Sequence, residues 1–220
     1  MNPGFATGSS ITRKRFHVQQ LTASEAAVLL PQVTQLLSDS FFEQRDEGAV
    51  TELLAYNAYV SELYVRLLWR ILKPGRKHVM LVATPHIVPD NGSKQVVCGV
   101  VEVTQQSADE ALAKAVGCAA GAQYVLVDDM VVSPKHRRQG LGRALLGHCQ
   151  HVAASLLTAR AGSPVLMLLY VQKDNAAAVR LYESAGFSVE EDWIDPDWEA
   201  SAYAGKAGPP RKLLMAKRCP

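Results

Sequence analysis

The stretch Arg137-Arg138-Gln139-Gly140-Leu141-Gly142 lies where an apolar segment, residues 124–132, meets an amphipathic one. The apolar segment is typical of a buried strand and the amphipathic one of a helix. Glycines at such a junction let an anion approach the backbone, and the N–H groups of a first helical turn point at it. Nearby Lys135, His136 and Arg143 add positive side-chain charge. The sequence therefore predicts a site for a phosphate-bearing ligand.

The spacing of the glycines excludes two common phosphate sites. A dinucleotide fingerprint needs a third glycine, where this chain has Leu145, and a P-loop needs Gly-Lys followed by Ser or Thr, which is absent here. The pattern R-x-x-G-x-G from Arg137 to Gly142 instead resembles the acetyl-CoA-binding signature of the GNAT superfamily of N-acetyltransferases.

A second motif follows downstream. Residues 175–187 match the GNAT helix pattern N-x-x-A-x-x-x-Y-x-x-x-G-F at every marked position, through Asn175, Ala178, Tyr182, Gly186 and Phe187. A helix, a break at 162–164 and an apolar strand separate the two motifs, in the order that the superfamily has them. On both motifs the chain is identified as a member of the GNAT superfamily.

The predicted fold is mixed α/β. The resemblance implies a central, mostly antiparallel sheet of six or seven strands with a splay between its two central strands, flanked by about four helices. Residues 15–220 are expected to form a single N-acetyltransferase domain, and residues 1–14 a disordered or targeting tail. Apolar patterns and turn residues place the elements: strands at 15–21, 78–88, 95–104, 124–132, 165–171 and 211–218, and helices from Thr22 or Ser24, from Thr51, from Leu141 and from Asn175.

Three local expectations accompany this arrangement. Asn91-Gly92 predicts an antiparallel hairpin between the second and third strands. The second helix is expected to bury an apolar stripe that begins at Leu53 and to end at Pro74-Gly75. The Ala/Gly-rich insertion at 107–122, with a short helix at 108–116, is expected to be a surface excursion with no chemical role.

Composition excludes several classes of protein. The 220 residues are 48% hydrophobic, which suits one soluble domain with a sizeable core. No apolar run approaches the roughly 18 residues of a membrane span, and a net charge of +2 does not favour a nucleic-acid partner. The four cysteines are dispersed without metal-ligand spacing, so reduced thiols and no metal site are expected.

The resemblance assigns the cofactor site. Acetyl-CoA would be the co-substrate, its pantetheine arm lying in the splay against the backbone of Met130, Val131 and Val132 and against Asn175. Its pyrophosphate would lie on the signature turn, which is formed by Arg137, Arg138, Gln139, Gly140, Leu141, Gly142 and Arg143.

The resemblance implies that catalysis is direct attack of an amine on the thioester of acetyl-CoA in a ternary complex. Tyr182 matches the family tyrosine that meets the coenzyme sulfur, and a phenol with a pKa near 10 is protonated at neutral pH. No general base is obvious. Glu102 is the first candidate, with Asp128 and Asp129 as alternatives, and each is as readily a structural carboxylate.

The expected acceptors are protein N-terminal α-amines, with lysine ε-amines as a second class. An α-amine with a pKa near 8 is about half neutral at pH 8, whereas a lysine near 10.4 is neutral less than about 1% of the time. The Ser38–Phe42 segment, the Tyr59–Arg66 helix, the paired Arg137-Arg138 and the tail after Phe187 resemble the plastid and cyanobacterial branch, which acetylates both. The loop 193–198 would receive a peptide, or is a plain hairpin connection.

Two other functions stay open, a small-molecule amine acetyltransferase with an enclosed acidic pocket and a non-enzymatic acetyl-CoA sensor.

The compartment is predicted from residues 1–14, which are rich in Ser and Thr, lack acidic residues and precede Arg15. That character is typical of the end of a transit peptide and predicts a chloroplast protein. An ordinary disordered terminus in a cyanobacterial or bacterial cytoplasm is the alternative.

Overall fold

The computed structural model describes residues 16–42, 49–72, 78–85, 96–157, 165–204 and 211–219. These residues form seven strands and six α-helices, in agreement with the predicted mixed α/β class. In chain order they are β1 (Phe16–Gln20), α1 (Ala23–Phe41), α2 (Ala49–Leu72), β2 (His78–Pro85), β3 (Gly99–Ser107), α3 (Glu110–Val116), β4 (Gln123–Val132), α4 (Leu141–Leu156), β5 (Val165–Gln172), α5 (Ala176–Ser184), β6 (Ser188–Val189), α6 (Pro196–Tyr203) and β7 (Lys212–Cys219).

The strands form one sheet in the order β1-β2-β3-β4-β5-β7-β6. Every neighbouring pair is antiparallel except β4 and β5, which are parallel. Those two strands pair only at Val125 with Met167 and at Leu126 with Leu168. Beyond these pairs they diverge, so the predicted splay between the central strands is confirmed.

A β-bulge lies on β4 at the start of the splay. Glu102 pairs with Asp128 and Val100 with Val131, so two residues of β4 oppose Val101 alone. One of the two, Asp129, has a φ of 47°. A bulge bends a strand and redirects its side chains, and this one turns Asp129 out of the regular alternation.

Helices cover both faces of the sheet. Leu81 and Ala83 of β2 pack with Leu141, Leu145 and their neighbours on α4, where the predicted apolar stripe is buried. Met80 and Val82 alternate to the opposite face, where α1 and α2 lie. None of the described helices is both long and apolar enough to cross a membrane.

Two expectations about packing were wrong. Leu53 is 61% exposed, because burial along α2 begins only at Leu63. The insertion is no surface excursion, since Leu112 and Val116 of α3 are buried against Tyr124 of β4 and against β5 and β7. The sheet face that α1 and α2 cover extends over β4, β5 and β7, where α3 covers it and buries its apolar side chains.

The expected Asn91-Gly92 turn, the Pro74-Gly75 helix end, the break at 162–164 and the tail 1–14 all lie outside the described residues. The antiparallel pairing of β2 with β3 is nevertheless confirmed by their register. The long connection between β6 and β7 contains a helix, α6, that sequence patterns missed. Asp195 caps that helix by accepting a hydrogen bond from the Asp197 N–H.

Candidate active site

The signature turn brings the predicted phosphate-binding residues together between β4 and α4. A 3₁₀ turn at Pro134–His136 leads to Gly140, which has a φ of 82° and is the N-cap of α4 without a side-chain cap. The N–H groups of a first helical turn have no partner within the helix. A Cβ on Gly140 would have nothing within 4 Å, so this glycine is needed for its left-handed backbone.

Gly142 has a different role. A Cβ at this position would lie 2.9 Å from Cδ2 of Leu181 and 3.5 Å from Cε of Met130. The glycine therefore permits close contact between α4 and α5. This contact joins the turn to the helix that carries Tyr182.

The polar side chains of the turn are held by backbone carbonyls. Arg137 Nε donates to Val132 O at 3.1 Å, which ties the turn to the end of β4. Gln139 Nε2 donates to Lys135 O at 3.0 Å. Arg143 donates to Ser184 O at 3.2 Å, so its guanidinium lies at the C-terminal end of α5.

A cavity of about 1000 Å³ opens at the splay. Met130 of β4 lines it together with Asn175 and Tyr182, so three of the predicted site residues meet there. Val131 instead packs its side chain with α1 and α2. The far walls come from the end of α1, from α3 and from the segment 193–197.

Two residues of the second motif are positioned by α5. Asn175 Oδ1 accepts from the Ala178 N–H at 3.1 Å, which caps the helix and leaves the amide nitrogen free of this bond. Tyr182 is 9% exposed and makes an edge contact with Phe187. Burial, followed by electrostatic interaction with Cys149 and Asp128, raises the pKa of Tyr182 to about 12.

An aromatic pair that sequence reasoning missed lies on the opposite wall. The rings of Tyr170 and Trp193 are 5.2 Å apart between centroids. Burial, then the charges of Asp109, Asp128 and Asp195, raises the pKa of Tyr170. Because the β4–β5 register places residue 170 level with residue 128 across the splay, the pair lies beside the point where the strands part.

Glu102, the first candidate for the base, is absent from the cavity lining. It is 1% exposed and forms an ion pair with Arg70. His78 Nε2 lies 3.1 Å from the same carboxylate oxygen, Oε2, without hydrogen-bond geometry, and Oε1 has no hydrogen-bond partner among the described residues. Because 32 residues separate Arg70 from Glu102, no sequence pattern indicated this ion pair.

Asp129 does line the cavity. Its Oδ2 is 3.9 Å from Arg70, and its N–H donates to Asp128 Oδ1 at 2.9 Å. Burial, then the charges of Asp128 and Glu102, raises the pKa of Asp129 to about 6, against the opposing effect of Arg66 and Arg70. This carboxyl group changes charge near neutral pH.

The cysteines show no sign of chemistry. All four are free, and Cys149 is buried with its pKa raised to about 12 by desolvation. A thiol in that environment is inert. Among the described residues, no three His, Cys, Asp or Glu side chains are grouped to hold a metal ion.

Comparison with known proteins agrees with this geometry. Residues 92–189, which include the splay, the signature turn and α5, match the acetyltransferase (GNAT) domain family. The chain carries a GNAT acetyltransferase domain. An Arabidopsis thaliana protein, GCN5-related N-acetyltransferase 10, chloroplastic, is 32% identical over 161 residues, or 73% of this chain. The chain spans 57% of the length of that relative.

Solved structures share the fold of the GNAT domain. Arabidopsis thaliana NAA60 in complex with acetyl-CoA superposes with a TM-score of 0.61 at 15% identity, covering 92% of this chain and 99% of that chain. PaiA N-acetyltransferase from Thermoplasma acidophilum, in complex with coenzyme A, gives 0.53 at 15% identity, covering 92% and 98%. At these identities the likeness concerns the fold alone.

Proposed function

We propose that this domain transfers the acetyl group of acetyl-CoA to protein N-terminal α-amines and, as a second activity, to lysine ε-amines. The observation that carries the proposal is the single cavity that joins the splay, Asn175 and Tyr182 to the recess beside Tyr170 and Trp193. Its volume of about 1000 Å³ is at the upper end for a small-molecule site. That size suits the end of a pantetheine arm together with the end of a peptide.

The chain's own residues would hold acetyl-CoA at two places. The N–H groups after Gly140 and the cationic side chains from Arg137 to Arg143 suit the pyrophosphate. Backbone groups of Met130, Val131 and Val132, beside the splay, suit a strand-like arm, with the Asn175 amide reaching it from α5. Bound there, acetyl-CoA supplies an activated thioester.

Tyr182 is proposed as the general acid. The amine nitrogen forms a bond to the acetyl carbon as the carbon–sulfur bond breaks, and the phenol gives its proton to the departing sulfur. A phenol with its pKa raised to about 12 remains protonated throughout the physiological range. A backbone N–H of β4 at the splay would polarise the carbonyl.

Preference for α-amines rests on the acid–base chemistry of the acceptor. Freeing a lysine amine at pH 8 costs roughly 3 kcal/mol, and an α-amine costs far less. The relative named as a chloroplastic GCN5-related N-acetyltransferase supports N-acetyl transfer, without naming the acceptor, and supports a plastid location. The basic segment that ends at Arg15 lies outside the described residues and stays a prediction.

The test is release of free thiol from acetyl-CoA with a matched set of acceptors. The set contains a peptide with a free N-terminus and no lysine, the same peptide with a blocked N-terminus and one internal lysine, spermidine, and glucosamine. Turnover that requires the free N-terminus is expected, with slower turnover of the blocked lysine peptide. Turnover of small amines alone would establish a small-molecule enzyme instead, and tight coenzyme binding without any turnover would establish a sensor.

A further inference from the structure

The bulge on β4 places the carboxylate of Asp129 in the wall of the cavity. Asp129 has a φ of 47°, in the left-handed region that residues with a side chain seldom adopt, asparagine and aspartate more often than the others. Such conformations persist where the surrounding structure enforces them, and they cluster at active sites. The cavity lies against this residue, against its neighbour Asp128 and against Tyr182 of α5.

Behind the bulge lies a partly buried charge cluster that lines no part of the cavity. Glu102 of β3 pairs with Arg70 at the end of α2, and His78 of β2 lies 3.1 Å from Glu102. Arg70 in turn is 3.9 Å from Asp129 Oδ2. Arg70 is 28% exposed and Glu102 only 1%, so breaking this ion pair would leave the buried carboxylate without its cation. The cluster therefore positions Arg70 next to the carboxylate that faces the cavity.

We propose that Asp129 is the group that takes the proton from the attacking amine, and that Arg70, anchored by Glu102, is its positioning residue. The proposal rests on the proposed function in needing an amine acceptor, but not on which amine is used. Glu102 keeps a structural role in this arrangement, because the lining of the cavity excludes it from direct contact with an acceptor.

The proton balance closes over one turnover. The amine nitrogen bonds to the acetyl carbon, the carbon–sulfur bond breaks, and the amine proton passes to the Asp129 carboxylate directly or through one water. Tyr182 gives its own proton to the sulfur. Asp129 then loses its proton to solvent, and Tyr182 regains one. The pKa is raised to about 6 for Asp129 and to about 12 for Tyr182. At neutral pH Asp129 is therefore ionised and can accept a proton, while Tyr182 is protonated and can donate one.

The charges that face Asp129 come from four elements. Asp128 on its own strand and Glu102 on β3 raise its pKa, while Arg66 and Arg70 on α2 lower it. Tyr59, also on α2, interacts electrostatically with Asp129, and His78 on β2 acts through Glu102. Removing the Glu102 charge should therefore move the titration of Asp129 to lower pH.

The experiment compares pH profiles of kcat/KM for Asp129→Asn, Glu102→Gln, Arg70→Gln and the control Glu110→Gln. Asp129→Asn should lose at least about 100-fold in turnover without changing acetyl-CoA affinity. Asparagine tolerates the left-handed backbone, so the variant is expected to fold. Glu102→Gln should move the acid limb of the profile to lower pH, because it removes a charge that raises the pKa of Asp129. Arg70→Gln should move it to higher pH, because the Arg70 charge lowers that pKa. The control Glu110→Gln, an exposed change on α3, should leave both turnover and the acid limb unchanged.

Turnover retained in Asp129→Asn but abolished in folded Glu102→Gln would overturn the proposal. An acid limb that does not move to higher pH in Arg70→Gln would overturn the positioning role of Arg70. Any amine that is turned over serves for these profiles, so a wrong acceptor class leaves the test intact. If no amine is turned over, the proposed function fails, and carboxyl ¹³C NMR then tests the inference. The Asp129 signal should titrate near pH 6, and its pKa should fall in Glu102→Gln. A pKa of Asp129 that does not change in this variant overturns the inference.

Discussion

Tyr182 shows how burial prepares one side chain for the role of general acid that we propose for it. Its ring packs against Phe187 within the cluster that α4 buries, and its surface is 9% exposed. Desolvation disfavours the phenolate, which is why the pKa of Tyr182 rises to about 12. A group in this state can donate a proton at any physiological pH but cannot accept one.

Replacing Tyr182 by phenylalanine should lower kcat by about 100-fold or more, the usual contribution of a general acid. The ring remains, so the affinity for acetyl-CoA measured by calorimetry should stay within about threefold. Thiol release against the best acceptor gives kcat. Undiminished turnover in this variant would remove Tyr182 from the mechanism.

The two signature glycines should respond differently to alanine. Gly140→Ala meets no atom but must adopt a φ of 82°, at a cost of about 1–2 kcal/mol in unfolding free energy. Gly142→Ala places its methyl group 2.9 Å from Leu181 Cδ2, and should cost about 1 kcal/mol because that flexible side chain can move. Urea unfolding measures both. Adding Leu181→Ala should relieve the close contact in Gly142→Ala without helping Gly140→Ala, and equal rescue of both would contradict this account.

Residue roles were predictable from sequence where they depend on neighbours in the chain. The left-handed turn at Gly140 and the cap at Asn175 belong to this class. The ion pair of Glu102 with Arg70 depends on how α2 lies across the sheet, so the sequence analysis put Glu102 first as the base and Asp128 and Asp129 only as alternatives. The second role of Gly142, contact with α5, was hidden for the same reason.

At the scale of elements, α3 is the clearest test of the packing. It is capped by Asp109, whose carboxylate accepts from the Leu112 N–H at 2.8 Å, and it ends at Gly117 with a φ of 65°. Leu112→Ala should cost about 2–4 kcal/mol in unfolding free energy, because Leu112 is buried against β4 and its neighbours. Lys114→Ala on the same helix is the control and should change stability by less than about 0.5 kcal/mol. Equal small effects would mean that α3 lies loosely on the sheet.

Strands and amphipathic helices were predictable because the spacing of their apolar residues along the sequence indicates them directly. The helix α6 was missed because Pro196–Tyr203 buries no residue and has no apolar stripe. Its signals were the Asp195 cap and the proline at the first turn. The burial of α3 was missed because a sequence pattern does not show how far a sheet face extends beyond α1 and α2.

For the whole molecule, Asp129 predicts an unusual pH dependence of stability. Its pKa is raised to about 6 in the folded chain, against about 3.9 when unfolded. Between these values the folded state binds the extra proton, so this group makes the folding free energy less favourable as pH rises from about 4 to about 6. The loss should amount to about 1–3 kcal/mol.

Asp129→Asn removes that titration. The variant should unfold at higher urea than the wild type at pH 7.5, and the difference should vanish near pH 4. Glu110→Gln, an exposed change on α3, is a control that should leave the pH profile unaltered. Equal stability of Asp129→Asn and wild type at both pH values would mean that burial does not penalise the carboxylate.

Because β4 and β5 part after Leu126 and Leu168, the sheet has two interior edges as well as its outer ones. Interior edges offer ladder N–H and C=O groups to a strand-like guest, as in β-augmentation. A guest that binds only the folded chain raises the unfolding free energy by about 2.7 kcal/mol at a hundred times its Kd. A co-substrate bound as we propose would act as a temporary strand, and each turnover would remove it from the sheet and replace it.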